Sequence, residues 1–371
     1  MVDALGGPTE FHRRFTFPLV VDMIPNDNFL LPPGVWTDDT SMTLCLAYSL
    51  ATFNPPGPSH ILESSKGGFD EGDQLSTYAA WYKHGALSAV DYCFDIGGTM
   101  ITALDIYCTR GDQDIEGTLR TIRDRLSTDL CSGNGSLMRV LPIGLAYWRD
   151  ENLAREYARR SSRTTHPNNM CQEACEVWTQ VIARIMRAST TNEEPRYSKL
   201  DVVKTFAEFP YTDDKLRKAL AFPILTSSPP TTQEEWGENF FDHHPLLRLI
   251  AKTQTANDTV IPEENDVPST GYVLDSLIAA LYCFLVTKSF EEGAIMAINL
   301  GNDADTVGAI YAGLAGCWYA GTMDDTHGLW TERVKTWKST LVRRNVVESV
   351  AEELVQFSVR LTGQFGQYVY N

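Results

Sequence analysis

The spacing of apolar residues constrains the fold of this chain most strongly, because they recur every three or four positions along most of it. In Gln113–Asp129, for example, Ile115, Leu119 and Ile122 share one face of a helix. The same pattern predicts helices over Asp38–Thr52, Asn168–Met186, Tyr272–Thr287, Phe290–Leu300, Thr306–Tyr319 and Val346–Leu361. Alternating β-branched runs bounded by turns do not recur. We therefore predict an all-α bundle of ten or more helices.

The 371 residues, of which 43% are hydrophobic, suffice for one large domain with a sizeable core. Asn54–Asp73 is rich in Pro, Gly and Ser and is predicted to be a loop. Thr190–Asp266 alternates short helical pieces with polar and Pro-rich stretches, and it has too few apolar residues for a core of its own. We therefore predict a single domain over residues 1–371 with an insertion around 190–266.

The net charge of −17 would repel nucleic acid phosphates and anionic membranes, so we expect neither as a partner. The longest apolar stretch, Val273–Val286, is too short to span a bilayer. The eight cysteines contain no CxxC pair and no zinc set, and the N-terminus has no secretory pattern. Reduced thiols indicate an intracellular location, either cytoplasmic or nuclear.

Two short acidic motifs each stand where a predicted helix begins. The first is Thr37-Asp38-Asp39-Thr40, and the second is Asp303-Ala-Asp305-Thr306. Either motif alone could be a helix cap with acidic residues in the first turn. If the two helix ends meet, however, their carboxylates would repel one another unless a hard cation lay between them. Oxygen-only ligands favour Mg²⁺, Mn²⁺ or Ca²⁺ over zinc or copper.

Seven motifs in order along the chain resemble those of the ADP-ribosylglycohydrolase family of DraG-like helical hydrolases. They are Asp3–Glu10, Thr37–Thr40, Phe94–Thr99, Gly133–Arg139, Thr165–Pro167, Gly271–Val273 and Gly301–Thr306. The resemblance leaves out only the segment around 190–266 and the C-terminal tail. Gly98 and Asn302 depart from it, since the family often has Asn at the first position and Gly at the second. The chain also lacks the family's usual apolar helix before Val2.

The resemblance implies an orthogonal multi-helix bundle with a central cleft holding two Mg²⁺ ions, or Mn²⁺ in their place. The implied metal ligands are Thr37, Asp38, Asp39, Asp303, Asp305 and Thr306. The implied catalytic residues are Glu10, Asp39 and Asp303, although Glu10 could also be a solvated surface residue. The implied ligand-binding residues are Asp95, Gly97, Gly98, Thr99, Gly133, Asn134, Gly135, Ser136, His166, Gly271 and Tyr272.

Some of these residues also have plainer interpretations. Gly133–Ser136 could place backbone N–H groups near a diphosphate or form an ordinary turn. His166 could be a loop residue, and Tyr272 could belong to the core. Arg139 is expected to make a structural ion pair outside the site.

The function implied is hydrolysis at C1″ of ADP-ribose, which releases a protein side chain or a small acceptor. The substrate would contain ADP-ribose, and an ADP-ribosylated protein could be the partner. One alternative is an ADP-ribose-1″-phosphate phosphatase with the same dinuclear site. A second alternative is a non-catalytic ADP-ribose-binding protein, although all six implied metal ligands are present. Which group leaves the ribose is not decided by these motifs.

Overall fold

The computed structural model describes residues 1–54, 66–111, 114–190, 197–222, 243–254, 259–320 and 328–368. Within these ranges the chain forms sixteen α-helices, two isolated β-bridges and no strand, which confirms the predicted all-α fold. The helices are Val2–Gly6 (α1), Asp38–Thr52 (α2), Glu71–His84 (α3), Gly98–Arg110 (α4), Ile115–Leu126 (α5), Leu141–Tyr147 (α6), Glu151–Arg163 (α7), Asn169–Thr190 (α8), Lys199–Glu208 (α9), Asp214–Leu220 (α10), Pro245–Thr253 (α11), Val273–Val286 (α12), Phe290–Ile298 (α13), Ala304–Ala320 (α14), Glu332–Thr340 (α15) and Arg344–Tyr368 (α16).

Helix α14 lies at the centre of the arrangement and packs against α1, α12 and α13. Its small residues permit this close approach: a Cβ added at Gly308 would lie only 3.0 Å from a methyl group of Val2. On the α1 side, a Cβ at Gly6 would lie 2.7 Å from the Cα of Asp305. The crossing of α1 and α14 therefore depends on glycine at both contacts, and it brings the chain's N-terminal segment onto the second acidic motif.

Helix α2 packs against α3, α6 and α16, and it also contacts α14. Its observed bounds are those predicted. Helix α3 starts at Glu71, inside the predicted loop Asn54–Asp73, because the Asp70 carboxylate caps it by accepting from the N–H of Asp73. Residues 55–65 of that predicted loop lie outside the described residues.

Three helices of the predicted insertion, α9 to α11, pack on the bundle. Lys199 at the start of α9 donates to the carbonyls of Phe284 and Thr287, at 2.5 and 2.6 Å, at the C-terminal end of α12. Leu216 and Leu220 of α10 are buried in the main core. Residues 191–196, 223–242 and 255–258 of this segment are outside the described ranges. The single domain stays a prediction.

No helix among the described residues is long and apolar enough to cross a membrane. All eight cysteines are free thiols.

Candidate metal centre

The two acidic motifs meet at the N-terminal ends of α2 and α14. The Thr37 hydroxyl is 3.2 Å from Oδ2 of Asp39 and 3.2 Å from Oδ2 of Asp305. The Thr306 hydroxyl is 3.2 Å from the same Oδ2 of Asp39. Both helix N-termini, with their partial positive charge, thus point at one acidic cluster. The condition on which the cation hypothesis depended is met in this structure.

Several carboxylate oxygens in this cluster are buried without any hydrogen-bond partner among the described residues. They are Glu10 Oε2, Asp39 Oδ1, Asp95 Oδ2 and Asp305 Oδ1. A buried, unpaired carboxylate is costly unless a proton or a cation compensates its charge. The cluster therefore has the donor set, oxygen only, and the unsatisfied negative charge that a hard dication requires.

The pKa directions express the same imbalance. Burial, and then the charges of Asp305 and Asp3, raise the pKa of Asp39 well above its usual range. Burial, followed by the charges of Asp95 and Asp3, does the same to the pKa of Asp38. The pKa of Asp305 is also raised by burial first and by Asp303 second. Without a cation the cluster would hold protons, so a cation and protons compete for these oxygens.

Asp3 is a residue of this site that the sequence reasoning missed. It is 1% exposed, and its carboxylate accepts from the backbone N–H groups of Thr37 and Thr40, each at 3.0 Å, and from both hydroxyls. It also lies within 4.8 Å of ligand atoms of Asp39 and Asp305. Asp3 therefore caps α2 from another helix and orients Thr37. The available signal was its position at the start of Asp3–Glu10, the first of the seven motifs.

Glu10 and Asp95 form the other half of the cluster. Ligand atoms of Glu10, Asp95 and Asp305 lie within 4.8 Å of one another. Glu10 is 5% exposed, so its interpretation as a solvated surface residue is wrong. Burial, followed by the charges of Asp3 and Asp303, raises the pKa of Asp95 to about 7, while a hydrogen bond from Glu10 opposes that rise. Glu10 and Asp95 therefore interact with one another at the edge of the cluster.

The loop around Asn134 is tied directly to the second acidic motif. The Asn134 amide donates to Oδ2 of Asp303 at 2.6 Å and to the hydroxyl of Ser276 at 2.7 Å. The N–H of Asn134 also donates to the carbonyl of Gly271 at 3.0 Å. A Cβ at Gly271 would lie 3.4 Å from Oδ2 of Asp303. Asn134 and Gly271 thus both lie beside Asp303. The hydrogen bond from Asn134 to Asp303 links the loop to the start of α14.

His166 lies against the backbone of the same loop. A Cβ added at Gly135 would be 2.9 Å from its ring, and its Nδ1 is 2.9 Å from the Thr165 hydroxyl. Burial, followed by the charge of Arg139, lowers the pKa of His166 to about 3, so the ring is neutral. The hydroxyl of Ser136 lies 2.9 Å from the hydroxyl of Ser162 and accepts a hydrogen bond from it. Through these contacts His166 and Ser136 hold the loop in place. Binding of a ligand by either residue stays a prediction.

The remaining predicted ligand-binding residues are exposed or half-buried. Gly97 and Gly98 begin α4 and are exposed, and a Cβ on either would meet nothing within 4 Å. Thr99 follows them in the first turn. Tyr272 is half-buried and pairs through its backbone with Gly133, while its hydroxyl lies 3.2 Å from the amine of Lys215.

Arg139 is fully buried outside the cluster, where it donates to Thr165 and to the carbonyl of Gly135, at 2.6 and 2.8 Å. Its expected structural role is thus observed, with hydrogen bonds in place of an ion pair.

The loop before α14 holds the second motif in place. Gly301 and Asn302 have left-handed backbones, with φ of 69° and 57°, and Asn tolerates this conformation well. Asn302 exchanges backbone hydrogen bonds of 2.7 Å with Phe11 and His12. The side chain of Arg14 donates to carbonyls of Leu300, Pro262 and Val267. The segment carrying Glu10 and the segment carrying Asp303 are therefore fastened to one another.

Comparisons with known proteins agree with one another. The family model described as ADP-ribosylglycohydrolase matches residues 2–361. An ADP-ribosylarginine hydrolase, Tri1, of Serratia proteamaculans (strain 568) is 25% identical over 95% of this chain and 75% of its own length. The ADP-ribosyl-[dinitrogen reductase] glycohydrolase of Rhodospirillum rubrum is 24% identical over 93% of this chain and 90% of its own length. A solved chain of an "ADP-ribosylglycohydrolase-related protein complex" is 30% identical, with a TM-score of 0.61 over 96% of this chain and 93% of that one.

Proposed function

Since this chain belongs to the ADP-ribosylglycohydrolase family and is a hydrolase of that type, we propose that it cleaves the bond at C1″ of ADP-ribose with two Mg²⁺ ions. The observation that carries the proposal is the meeting of the two acidic helix ends with unpaired, buried oxygens. Substrates containing ADP-ribose are those named for the relatives.

The residues present fit a pair of magnesium ions. Those that would hold them are Thr37, Asp38, Asp39, Asp303, Asp305 and Thr306. When bound, Mg²⁺ supplies Lewis acidity and neutralises the carboxylates. Mn²⁺ is the alternative ion because it accepts the same oxygen ligands. A non-catalytic ADP-ribose binder would not need this complete set of ligands.

The chain's own residues would bind and orient the nucleotide. Backbone N–H groups of the loop Gly133–Ser136 would face the diphosphate, apart from that of Asn134, which donates to the carbonyl of Gly271. The glycines would allow close approach. The distal ribose would then lie over the acidic cluster, where Asp39 and Asp303 stabilise the positive charge that develops on the ring. Asp303 is held for this purpose by the amide of Asn134 at 2.6 Å.

Glu10 is the carboxyl that we assign to proton transfer, because it lies beside Asp305 and hydrogen-bonds Asp95 at the edge of the cluster. In the reaction the C1″–N bond to the acceptor breaks and a C1″–O bond to water forms. The proton lost by the water passes through Glu10 to the departing nitrogen. The products are ADP-ribose and the free acceptor.

Arginine is the acceptor that we propose first. Two of the relatives found, from Serratia proteamaculans and Pseudomonas putida, are ADP-ribosylarginine hydrolases, at 25% and 26% identity over 95% of this chain. A guanidinium group also suits a cleft edged by the carboxyl groups of Glu10 and Asp95, which can accept its hydrogen bonds.

The experiment is a panel of ADP-ribosyl-arginine, ADP-ribosyl-serine, O-acetyl-ADP-ribose and ADP-ribose-1″-phosphate, each incubated with MgCl₂, with EDTA and with Mg²⁺ restored. We expect ADP-ribose and arginine to be released with Mg²⁺ only. Asp305→Asn should lower this activity at least about 100-fold, while the exposed-site control Asp105→Asn should match the wild type. Undiminished turnover in EDTA would refute the metal role, and phosphate release alone would favour the phosphatase.

A further inference from the structure

A ridge of apolar side chains borders the acidic cluster on the side of Glu10 and Asp95. It consists of Phe11, Phe29, Leu30, Tyr92 and Phe94, which we call the aromatic ridge. Successive ring centroids are 6.1 Å apart for Phe11 and Phe29, 5.2 Å for Phe29 and Phe94, and 5.8 Å for Phe94 and Tyr92. We propose that this ridge binds the arginine-bearing segment of an ADP-ribosylated protein, an inference that rests on the proposed function.

The position of the ridge follows from its sequence neighbours. Phe11 directly follows Glu10 and Phe94 directly precedes Asp95, and the two carboxylates lie within 4.8 Å of each other. The ridge therefore begins where the acceptor would leave the distal ribose. Gly97 and Gly98 follow Asp95 closely in the sequence, and a Cβ added to either would have nothing within 4 Å, so the start of α4 is open there.

Three side chains of the ridge are largely exposed. Leu30 is 88% exposed, Phe11 64% and Tyr92 50%, whereas Phe29 and Phe94 are partly buried against the core and support them. Contiguous exposed apolar side chains of this size mark binding surfaces more often than isolated ones do. Aromatic side chains are also enriched at the centres of protein interfaces.

The ridge is tied to the Glu10 segment, and part of the backbone at and beside it is in an unfavourable conformation. Phe11, Leu30 and Asp95 have φ of 63°, 56° and 60°, in the left-handed region that bulky residues seldom adopt. The side chain of Asn28 donates to the carbonyls of Glu10 and Gly7, at 2.9 and 3.1 Å, which ties the Phe29 loop to the Glu10 segment. Strained backbone held by its surroundings is characteristic of functional sites.

The chemistry of the ridge favours a cationic occupant. In the described part of the chain, none of the ring–cation contacts involves the ridge rings, so their faces are not occupied by the protein's own Lys or Arg. Asp27 and Asp91 are close neighbours of Phe29 and Tyr92 in the sequence, and Asp91 accepts from Arg343. Arg13, two residues after Phe11, lies 3.8 Å from Glu264. Aromatic faces beside an acidic cleft attract guanidinium groups and basic peptide segments.

The test compares two substrates that carry the same bond. One is ADP-ribosyl-agmatine, and the other is a 12-residue peptide with one ADP-ribosylated arginine flanked by leucine and lysine. The double variant L30N/Y92N removes two exposed ridge side chains, and Asn suits the left-handed backbone at Leu30. The matched control is V355S/V359S, which changes two exposed apolar residues of α16.

We expect the ridge variant to lose about tenfold or more in kcat/KM on the peptide and less than about twofold on ADP-ribosyl-agmatine, since interface anchors dominate binding. The control variant should match the wild type on both substrates. In a second peptide, Gly and Ser replace the leucine and lysine that flank the ADP-ribosylated arginine. The wild type and the ridge variant should cleave this second peptide with equal kcat/KM, at the low value that the ridge variant has on the first peptide.

Equal kcat/KM of wild type and ridge variant on the peptide would overturn the docking role while leaving the proposed function intact. Equal losses on both substrates would also overturn it, because the ridge would then act through the site and not through the peptide. A wild-type protein that cleaves neither substrate with Mg²⁺ would refute the arginine acceptor itself and the ridge proposal with it.

Discussion

The charge imbalance of the acidic cluster predicts that Asp39→Asn stabilises the metal-free protein while destroying its response to magnesium. Asp39 is fully buried, with Oδ1 unpaired and Oδ2 lying 3.2 Å from the hydroxyls of Thr37 and Thr306. Asparagine has the same shape and can still accept from one hydroxyl. Its uncharged amide would face Asp3 and Asp305, whereas the Asp39 carboxylate adds a third negative charge to these two.

The size of the effect follows from the geometry. Ligand oxygens of Asp39 and Asp305 lie within 4.8 Å, which at an effective dielectric constant of about 20 corresponds to a repulsion of ~3.5 kcal/mol if both are ionised. Protonation sets a ceiling, because taking up one proton at pH 8 costs an aspartate about 6 kcal/mol relative to the unfolded chain. We therefore expect the metal-free variant to gain about 3 kcal/mol, or roughly 4 °C in Tm for a chain of this length.

The assay is thermal unfolding by calorimetry at pH 8, in EDTA and in excess MgCl₂. The wild type should gain about 4 kcal/mol at a magnesium concentration ~1,000 times its Kd, and D39N should gain almost none. Asp105→Asn, on the exposed face of α4, is the matched control and should change neither value. A lower Tm for D39N in EDTA would show that the carboxylates do not repel one another, and a wild-type magnesium shift in D39N would show that Asp39 is not a ligand.

Three further predictions test the surroundings of the cluster. The pKa of Asp95 in the folded protein, about 7, exceeds its value in the unfolded chain. Its contribution to the stability of the metal-free protein is therefore present at low pH and lost as the pH rises through 7. The Tm in EDTA should fall from pH 5 to pH 8, and a Tm independent of pH would contradict this. Asp3→Ala leaves two backbone N–H groups of α2 unpaired and should cost about 2–5 kcal/mol in urea unfolding, whereas a change under ~0.5 kcal/mol would refute the capping role. Gly301→Ala places a Cβ 2.4 Å from the carbonyl oxygen of His12, at a residue with a φ of 69°. We expect the free energy of unfolding in urea to fall by about 2–4 kcal/mol. Unchanged stability would mean that the loop moves to accommodate the methyl group.

The helices that the sequence predicted well are those whose buried face is made of large apolar residues. Helix α2 begins and ends where expected, and α12 differs by one residue at each end. Helices α4 and α7 were not predicted. Helix α7 buries only Ala154, Ala158 and two serines, which do not form an apolar stripe in the sequence. Helix α4 begins at a glycine pair, which usually indicates a turn.

Glu10 and Asp3 show where local patterns fail. Both stand near the chain's start, in a segment with many small residues, where a charged side chain is ordinarily solvated. Their burial arises because α1 crosses α14 at glycine contacts and because the Asn302 backbone bonds to residues 11 and 12. These are contacts between positions about 290 residues apart, and no periodicity or spacing reports them.

The sequence by itself determined the helical fold and the residue types of a hard-cation site, because amphipathic spacing and oxygen ligands are properties of short segments. The order of seven motifs added the family and its chemistry by resemblance. Only the tertiary structure decided that the two acidic helix ends meet, that Asp3 caps α2 from another helix, and that Glu10 is buried beside Asp95. It also brought the rings of the aromatic ridge together, from Phe11 through Phe29 and Phe94 to Tyr92. Each of these depends on packing between distant segments, which is decided by the fit of the whole bundle and not by local preference.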